Sequence, residues 1–338
     1  MKLTRRFLTG AAAAAAILAG SGFAAMAQSP IVIKFSHVVA NDTPKGKGAL
    51  KFQELAEKYT AGKVKVEVYP NSQLYKDKEE MEALQLGAVQ MLAPSLAKFA
   101  PLGVKEFEVF DFPLIFKDKA ALGKVTKGAV GKGLFDKLQD KGITGLAYWD
   151  NGFKVFSANK PLKTPSDMLG QKIRIQSSKV LDAQIRAVGG IPQVLAFSEV
   201  YQALQTGVVD GQENTPSNMF TQKMHEVQKH GIMTNHGYIG YAVIVNKKFW
   251  DGIPADIRAN LDKAMAEATE YANTISDSEN ADALAEMKKS GKITFYEPTP
   301  AEMDAWVKAM LTVHKDMTPR VGAEIVKQVY TAVGLPTN

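Results

Sequence analysis

Alternating apolar and polar positions near the start of the chain predict an α/β fold. The runs "IVIKFSH" at 31–37 and "KVKVEVYP" at 63–70 have the period of two that is typical of half-buried strands. Between them, Thr43 followed by proline is a typical helix start, and Gly62 is a typical helix end. This βαβ spacing predicts a parallel sheet with right-handed crossovers.

A short internal echo indicates two similar halves. The runs "EALQLGAVQM" at 82–91 and "YQALQTGVVDG" at 201–211 both contain Ala-Leu-Gln-x-Gly-x-Val. Each run predicts a helix that ends at glycine, Gly87 or Gly207, and then a short buried strand. The two runs are far too distant for a solenoid repeat, so we interpret the echo as the mark of two α/β lobes.

Longer elements connect these lobes. The run "GLAYWDNGFKVFSANKP" at 145–161 predicts a strand that crosses between them, and "GYAVIVNKKFW" at 240–250 predicts a strand that returns. Residues 255–290 contain neither proline nor glycine, which predicts an unusually long helix. This helix either spans both lobes or breaks near the polar run "TISDSEN" at 274–280.

The first 27 residues predict a cleavable signal peptide. They contain Lys2, Arg5 and Arg6, an alanine-rich apolar run, and the small-x-small sequence "AMA" at 25–27. The apolar run is shorter than the roughly 20 residues of a membrane-spanning helix. The Arg-Arg-Phe-Leu sequence leaves both Sec and twin-arginine export open. We therefore expect a periplasmic protein.

The rest of the chain is long enough for two lobes, because single cores stop growing at roughly 250–300 residues. We assign lobe I to residues 28–151 and 240–279, and lobe II to residues 152–239 and 280–338. A ligand cleft is expected between them, with the long helix spanning both.

The composition argues against several functions. There is no cysteine, so disulfides, thiol nucleophiles and zinc–thiolate sites are excluded. The net charge is +6, half of it in the signal peptide, and without basic runs this gives no reason to expect nucleic acid. His225, His230 and His236 do not share one helical face, so we expect no metal site. No P-loop, dinucleotide fingerprint or nucleophile elbow occurs, and we expect no cofactor and no enzyme.

A cation in the middle of a predicted strand is the first candidate for chemistry. In "GQKIRIQSS" at 170–178, Arg174 alternates with isoleucines. Ligands of open α/β sheets bind at the carboxyl ends of strands, where "MLAPS" at 91–95 and "DGQEN" at 210–214 also end. The arginine fork suits a carboxylate, so we expect Arg174 to meet an anion in the cleft. An exposed or salt-bridged strand arginine is the alternative.

Two further polar residues are candidates for ligand binding, and each also has an ordinary structural interpretation. Lys154, in "NGFKVFS", is a second candidate cation or a surface lysine whose stem lies along apolar neighbours. Asn214 either binds the ligand or forms a turn.

Three runs resemble a known family. They are "NGFKVFSANKPLKTPSDMLGQKIRIQSS", "AFSEVYQALQTGVVDGQENTPSN" and "NHGYIGYAVIVNKKFW". They resemble the substrate-binding subunits of TRAP transporters, most of all the DctP type, and the resemblance extends nearly to the C-terminus. It implies a two-lobed periplasmic binding protein fold with no enzymatic activity. It also implies that a small organic acid, most of all a four-carbon dicarboxylate such as succinate, fumarate or malate, is delivered to the small and large membrane subunits.

The resemblance also implies a set of substrate-binding residues: Arg174, Asn214, Lys154, Phe197, His37, Ser95 and His236. We add Lys45, which we expect to contact the substrate from the first lobe together with His37 and Ser95. Within it, Arg174 corresponds to the family's arginine that pairs with a substrate carboxylate, and Asn214 to the asparagine beside that carboxylate. Many relatives have arginine at the position of Lys154, which puts a second bidentate contact there in doubt.

Other functions remain open from the sequence. A monocarboxylate, such as a 2-oxo acid or sugar acid, needs only Arg174. A periplasmic enzyme acting on an acidic substrate needs a general base, for which His37 and His236 are the candidates. A binding protein that reports to a receptor kinase has the same sequence features.

Overall fold

The computed structural model describes residues 29–337, and the predicted signal peptide lies outside them. The strands within this range are β1 (Ile31–Ser36), β2 (Val64–Tyr69), β3 (Met91–Leu92), β4 (Ile143–Ala158), β5 (Lys172–Ile175), β6 (Ile191–Val194), β7 (Gly211–Asn214), β8 (His230–Asn246) and β9 (Thr294–Tyr296). The α-helices of the same range are α1 (Pro44–Tyr59), α2 (Glu80–Gln85), α3 (Lys119–Thr126), α4 (Ala129–Gln139), α5 (Lys179–Ala187), α6 (Val200–Gln205), α7 (Pro216–Thr221), α8 (Lys247–Asp251), α9 (Ala255–Lys289), α10 (Pro300–Met310), α11 (Thr312–Val321) and α12 (Ala323–Val333). Short 3₁₀ helices are Leu96–Lys98, Ala100–Leu102, Lys105–Asp111, Pro165–Met168, Phe197–Glu199 and Met224–Glu226.

The first βαβ unit forms as predicted. Strands β1 and β2 are parallel, with Ile31 opposite Val64, and α1 connects them. Thr43 caps α1, because its side-chain oxygen accepts the N–H of Gly46 at 3.1 Å. Gly62 has a φ of 76°, a backbone conformation that favours glycine. The cap and the glycine therefore bracket the helix at the positions that the sequence indicated.

The two halves of the sheet repeat one arrangement. In the first half, β1-α1-β2 is followed by α2 and then by β3, which lies parallel to β1 on its free side. In the second half, β5-α5-β6 is followed by α6 and then by β7, which lies parallel to β5 on its free side. The echo in the sequence corresponds to α2-β3 and α6-β7. Two similar α/β halves are therefore confirmed.

Two long strands join these halves, and they make the sheet mixed rather than wholly parallel as predicted. The strand order is β2-β1-β3-β8-β4-β7-β5-β6, with β9 beside β8. The pairs β3–β8, β8–β4 and β4–β7 are antiparallel. The chain crosses in one direction through β4 and returns through β8, so these neighbours run in opposite directions. Their pairing extends from Ile143 opposite Asn246 to Ala158 opposite His230.

The long helix α9 has no break. Its first half packs on the first half of the sheet, where Leu261 and Ala268 share a hydrophobic cluster with Phe52 of α1. Near its end, Met287 joins a cluster of the second half that includes Val200. One helix therefore packs against both halves, as the first of the two alternatives predicted.

The polar segment of α9 is hydrogen-bonded to the crossing strand β4. Asn273 Oδ1 accepts the main-chain N–H of Asp150 at 2.7 Å, and Asn280 Nδ2 donates to the carbonyl oxygen of Asn151 at 2.5 Å. Ser276 Oγ donates to Asp150 Oδ2 at 2.7 Å. These polar groups are hydrogen-bonded where the two halves meet. The helix therefore continues through residues 274–280, where the sequence allowed a break as one of two alternatives.

The C-terminal helices contact both halves. Val326 of α12 shares a cluster with Leu122 and Leu134, whereas Trp306 of α10 shares one with Ile173. The residue boundaries assigned to the two lobes stay a prediction. Among the residues described, no helix is both long and apolar enough to cross a membrane.

Candidate functional site

A small cavity lies where the two halves of the sheet face each other. The carboxyl ends of β3, β5 and β7 meet there, which is the usual place for a ligand in α/β sheets. The residues that line it are Val38, Val39, Lys45, Asp77, Ser95, Lys98, Arg174, Gln176, Phe197, Asn214, Asn218, Ile239 and Tyr241. Both halves contribute, so the cavity is an interlobe site.

The structure brings together most of the residues proposed from the sequence. Those that line the cavity are Lys45, Ser95, Arg174, Phe197 and Asn214. Those that are buried outside its lining are His37, Lys154 and His236. The sequence did not single out the lining residues Asp77, Lys98, Asn218 and Tyr241.

Arg174 lies on β5, with only 2% of its surface exposed. Its Nε and Nη2 both donate to the carbonyl oxygen of Leu195, at 3.1 and 2.9 Å. The guanidinium also lies 5.8 Å from the centre of the Phe197 ring. These contacts fix the plane of the fork. Among the described residues they use two of its five N–H groups, which leaves the others for a ligand.

Asn214, the last residue of β7, has its amide oriented by its neighbours. Its Oδ1 accepts the main-chain N–H of Thr215 at 3.0 Å and Nδ2 of Asn218 at 2.9 Å. The Thr215 donor belongs to the backbone, so the oxygen of Asn214 must face it. Its Nδ2 group is therefore left as a donor without a partner among the described residues, and Asn214 lines the cavity together with Arg174.

Lys98 forms a buried ion-pair cluster on the first half of the cavity. Its ammonium pairs with Asp77 and, at 2.8 Å, with Glu80. Burial alone would raise the pKa of Asp77, but Lys98 and Arg174 lower it to about 2. Burial and the nearby Asp77 raise the pKa of Glu80. A sequence signal existed, because Lys98 stands in the otherwise apolar run "SLAKFA".

Lys45 is a buried cation at the cavity, and no carboxylate of the described residues forms an ion pair with it. Its Nζ donates to the carbonyl oxygen of Ala93 at 2.9 Å and lies 3.8 Å from the centre of the Tyr241 ring. Burial, followed by the positive charge of Lys98, lowers the pKa of Lys45 to about 7. An anion placed beside it would favour the charged ammonium.

His37 lies behind this part of the cavity. It is 1% exposed, and neither ring nitrogen has a hydrogen-bond partner among the described residues. Burial and the charge of Lys45 lower the pKa of His37 to about 3. The imidazole is therefore neutral at physiological pH.

Lys154 and His236 share one buried carboxylate. Lys154 Nζ lies 2.6 Å from Glu213 Oε1, and His236 Nε2 lies 3.0 Å from Glu213 Oε2. Burial alone would raise the pKa of Glu213, but Lys154 and His236 lower it to about 2. Glu213 precedes Asn214, and neighbouring side chains on a strand point to opposite faces. The network therefore lies on the face of β7 opposite to Asn214.

Contacts across the cleft join the two halves. Asp77 Oδ2 accepts the main-chain N–H of Phe197 at 2.5 Å. On the surface nearby, Lys76 Nζ lies 3.0 Å from Glu199 Oε1. Asp77 and Lys76 belong to the loop between β2 and α2, whereas their partners belong to the second half. The two halves are therefore in contact, as in a closed form.

The chemistry of the cavity favours an anion. Three buried cations line it, Lys45, Lys98 and Arg174, and they come from both halves. Buried charges are stable only when they are paired, so cations in excess call for a negative ligand. Within residues 29–337, no group of three or more histidine or acidic side chains is arranged to hold a metal ion.

Comparisons with known proteins match this chain over most of its length. The family model DctP, described as bacterial extracellular solute-binding protein, family 7, matches residues 35–320. The C4-dicarboxylate-binding periplasmic protein DctP of Rhodobacter capsulatus is 66% identical over 330 residues, which cover 98% of this chain and 99% of that protein.

Solved structures agree with this match. A TRAP periplasmic solute-binding protein from Shewanella oneidensis, with bound succinate, has a TM-score of 0.87 and 43% identity, covering 90% of this chain and 99% of that one. Another from Pseudomonas aeruginosa, with bound L-malate, has a TM-score of 0.83 and 44% identity, covering 85% and 100%. The two-lobed fold and the resemblance seen in the sequence are confirmed. This chain belongs to the DctP family of bacterial extracellular solute-binding proteins, family 7.

Proposed function

We propose that this protein captures a four-carbon dicarboxylate in the periplasm and delivers it to the membrane subunits of a TRAP transporter. The observation that carries the proposal is the small interlobe cavity, in which buried cations from opposite halves face one space. Membership of the DctP family supports the location and the membrane partners. The bound succinate and malate of its structural relatives support the class of ligand.

In this proposal, each half of the protein holds a different carboxylate of the ligand. Arg174 and the Nδ2 group of Asn214 hold one carboxylate from the second half, with charge-assisted hydrogen bonds. Lys45 and Ser95 hold the other carboxylate from the first half. Phe197 stacks beside Arg174 and covers the ligand. Lys154 and His236, which are bonded to Glu213, act behind the cavity by supporting the strand that carries Asn214.

The charges favour a dianion over a monoanion. Three cations, Lys45, Lys98 and Arg174, line the cavity beside one acid, Asp77. Lys98 is paired with Asp77 and Glu80, whereas neither Lys45 nor Arg174 forms a close ion pair within residues 29–337, so these two positive charges remain for the ligand. Each charge-assisted hydrogen bond contributes roughly 1.5–3 kcal/mol, so a few of them suffice for a micromolar affinity of about −8 kcal/mol. Binding and release need no chemistry on the ligand.

A screen of small organic acids tests the proposed function. We expect succinate, fumarate and malate to raise the melting temperature, because a ligand at 100 times its dissociation constant adds about 2.7 kcal/mol of stability. Butyrate, which has one carboxylate on the same chain length, is the matched control. The protein should first be refolded from denaturant to remove any bound ligand. Stabilisation by monocarboxylates alone would contradict the dicarboxylate assignment, and turnover of a bound acid, followed by NMR, would indicate an enzyme.

The affinity for a dicarboxylate should fall as the pH rises above 7. At a pH below the pKa of about 7, Lys45 is already charged in the free protein, whereas at a higher pH Lys45 must take up a proton from the solvent when the ligand binds. Between pH 7 and 8.5 we expect the dissociation constant to rise about tenfold. Titration calorimetry at pH 8, in two buffers of different ionisation enthalpy, should detect uptake of about one proton.

The surroundings of Lys45 assign this proton. Its neighbours Lys98, Asp77 and His37 do not titrate in this range. The pKa of Lys98 is raised, that of Asp77 is about 2, and that of His37 is about 3. Burial raises the pKa of Glu80, so this acid is the second candidate for proton uptake when an anion binds. The Lys45→Met variant should take up no proton. An unchanged proton uptake in that variant would assign the effect to another group.

A further inference from the structure

We infer that Asn218 makes the cavity selective for a dicarboxylate that also carries a hydroxyl group. A four-carbon 2-hydroxy dicarboxylate, such as malate, would then bind more tightly than succinate. This inference rests on the proposed function, since it concerns the same cavity. The observation behind it is a buried acceptor on a residue that lines the cavity, and no donor within the described residues satisfies it.

The orientation of the Asn218 amide follows from a chain of hydrogen bonds. The backbone N–H of Thr215 requires an acceptor, so it fixes Oδ1 of Asn214. The group of Asn218 that lies 2.9 Å from this oxygen must then be a donor, which is its Nδ2. The same Nδ2 also donates to the hydroxyl oxygen of Tyr241, at 3.3 Å. The remaining polar atom of Asn218 is therefore an acceptor, Oδ1.

This acceptor is buried and has no partner. Asn218 lines the cavity with 3% of its surface exposed, and no donor within residues 29–337 reaches its Oδ1. A buried polar atom without a hydrogen bond costs about 1–3 kcal/mol. Native proteins satisfy nearly all such atoms, either by protein groups, by water or by a ligand. Because Asn218 lines the cavity, we assign the missing donor to the molecule that occupies it.

A ligand without a donor cannot satisfy Asn218. The cations Lys45, Lys98 and Arg174 supply donors for carboxylate oxygens, but an ionised succinate or fumarate has no hydrogen to give to Oδ1. A hydroxyl group on the carbon chain supplies that hydrogen, and its oxygen still accepts from the cavity. The cavity thus pairs fully with a hydroxy acid and leaves one buried acceptor unpaired with succinate.

Titration calorimetry of the refolded protein tests this inference with succinate and with both enantiomers of malate. We expect the better malate enantiomer to bind at least about fivefold more tightly than succinate. In Asn218→Ala, this ratio should fall to about one, even if both affinities decrease, because the acceptor is gone. Lys45→Met is the matched control, since it should weaken both acids by the same factor and keep the ratio.

The outcomes separate the inference from the proposed function. Equal affinities for malate and succinate in the unmodified protein would overturn the inference, because a water molecule would then satisfy Asn218, and would leave the dicarboxylate function standing. A preference for malate that persists in Asn218→Ala would also overturn the inference. If neither acid binds, the proposed function fails together with it. Circular dichroism spectra should show that both variants are folded.

Discussion

Replacing Arg174 by alanine should raise the dissociation constant for the preferred acid by about 100-fold or more. The loss removes the charged donors that face one carboxylate, and each charge-assisted hydrogen bond contributes roughly 1.5–3 kcal/mol. The effect on folding should be smaller, because the contacts of Arg174 within the protein are the Leu195 carbonyl oxygen, the Phe197 ring and the charge of Asp77. Titration calorimetry and urea denaturation, both without prior ligand, measure the two effects.

The Arg174→Lys variant is the control for charge. Lysine keeps the positive charge but lacks the planar fork, so we expect an intermediate affinity. If Arg174→Ala bound the acid normally, the carboxylate would have to lie elsewhere and our site would be wrong. If both variants were equally weak, the fork rather than the charge would be the essential feature.

Replacing Lys154 by alanine should mainly destabilise the fold. Its ammonium is the close cation of Glu213, and both side chains are at most 2% exposed. Removing one partner of a buried ion pair typically costs about 3–5 kcal/mol, because the other charge is left uncompensated. We expect the free energy of unfolding, measured in urea without ligand, to fall by about this amount. Affinity should change less than in Arg174→Ala.

A second variant separates this role from a contact with the ligand. Removing both charges, with Lys154→Met and Glu213→Gln together, should restore much of the stability, because no buried charge is then unpaired. The resemblance seen in the sequence implies that Lys154 contacts the substrate. A Lys154→Ala protein that keeps its stability, but loses more affinity for a dicarboxylate than for a monocarboxylate, would support that expectation.

Local patterns in the sequence predicted much of the fold. Thr43 and Gly62 mark the ends of one helix by capping and by a positive φ, which depend on neighbouring residues alone. The echo around Gly87 and Gly207 identified two equivalent helix–strand units. The mixed sheet was missed, because strand alternation indicates which side chains are buried but not which strand lies beside another or in which direction it runs.

The sequence predicted a site residue only where its immediate neighbours in sequence made it unusual. Arg174 stood out as a cation among isoleucines. Lys154 looked similar, but its partner Glu213 is 59 residues away, and only the pairing of β4 with β7 brings the two together. Asn218 carries no signal in sequence, because its role depends on which of its amide atoms faces Asn214.

Lys98 and the polar run of α9 depend on partners that the sequence does not identify. A charged or polar residue in an unusual place signals a partner, but the partner is found only after folding. Lys98 finds Asp77 and Glu80, and Ser276 finds Asp150. Composition alone therefore left both a break and a continuous helix open, and tertiary contacts keep the helix whole.

The way in which the chain crosses between the halves limits how such a protein can diversify. Strands β4 and β8 and helix α9 each belong to both halves, so neither half is one continuous segment. A single recombination event between two relatives cannot exchange a complete half. The recombinant protein would combine part of β4, β8 or α9 from one parent with contacting residues from the other parent, and these residues did not evolve together. New ligand preferences in this architecture should therefore arise by substitution of cavity residues rather than by shuffling of lobes.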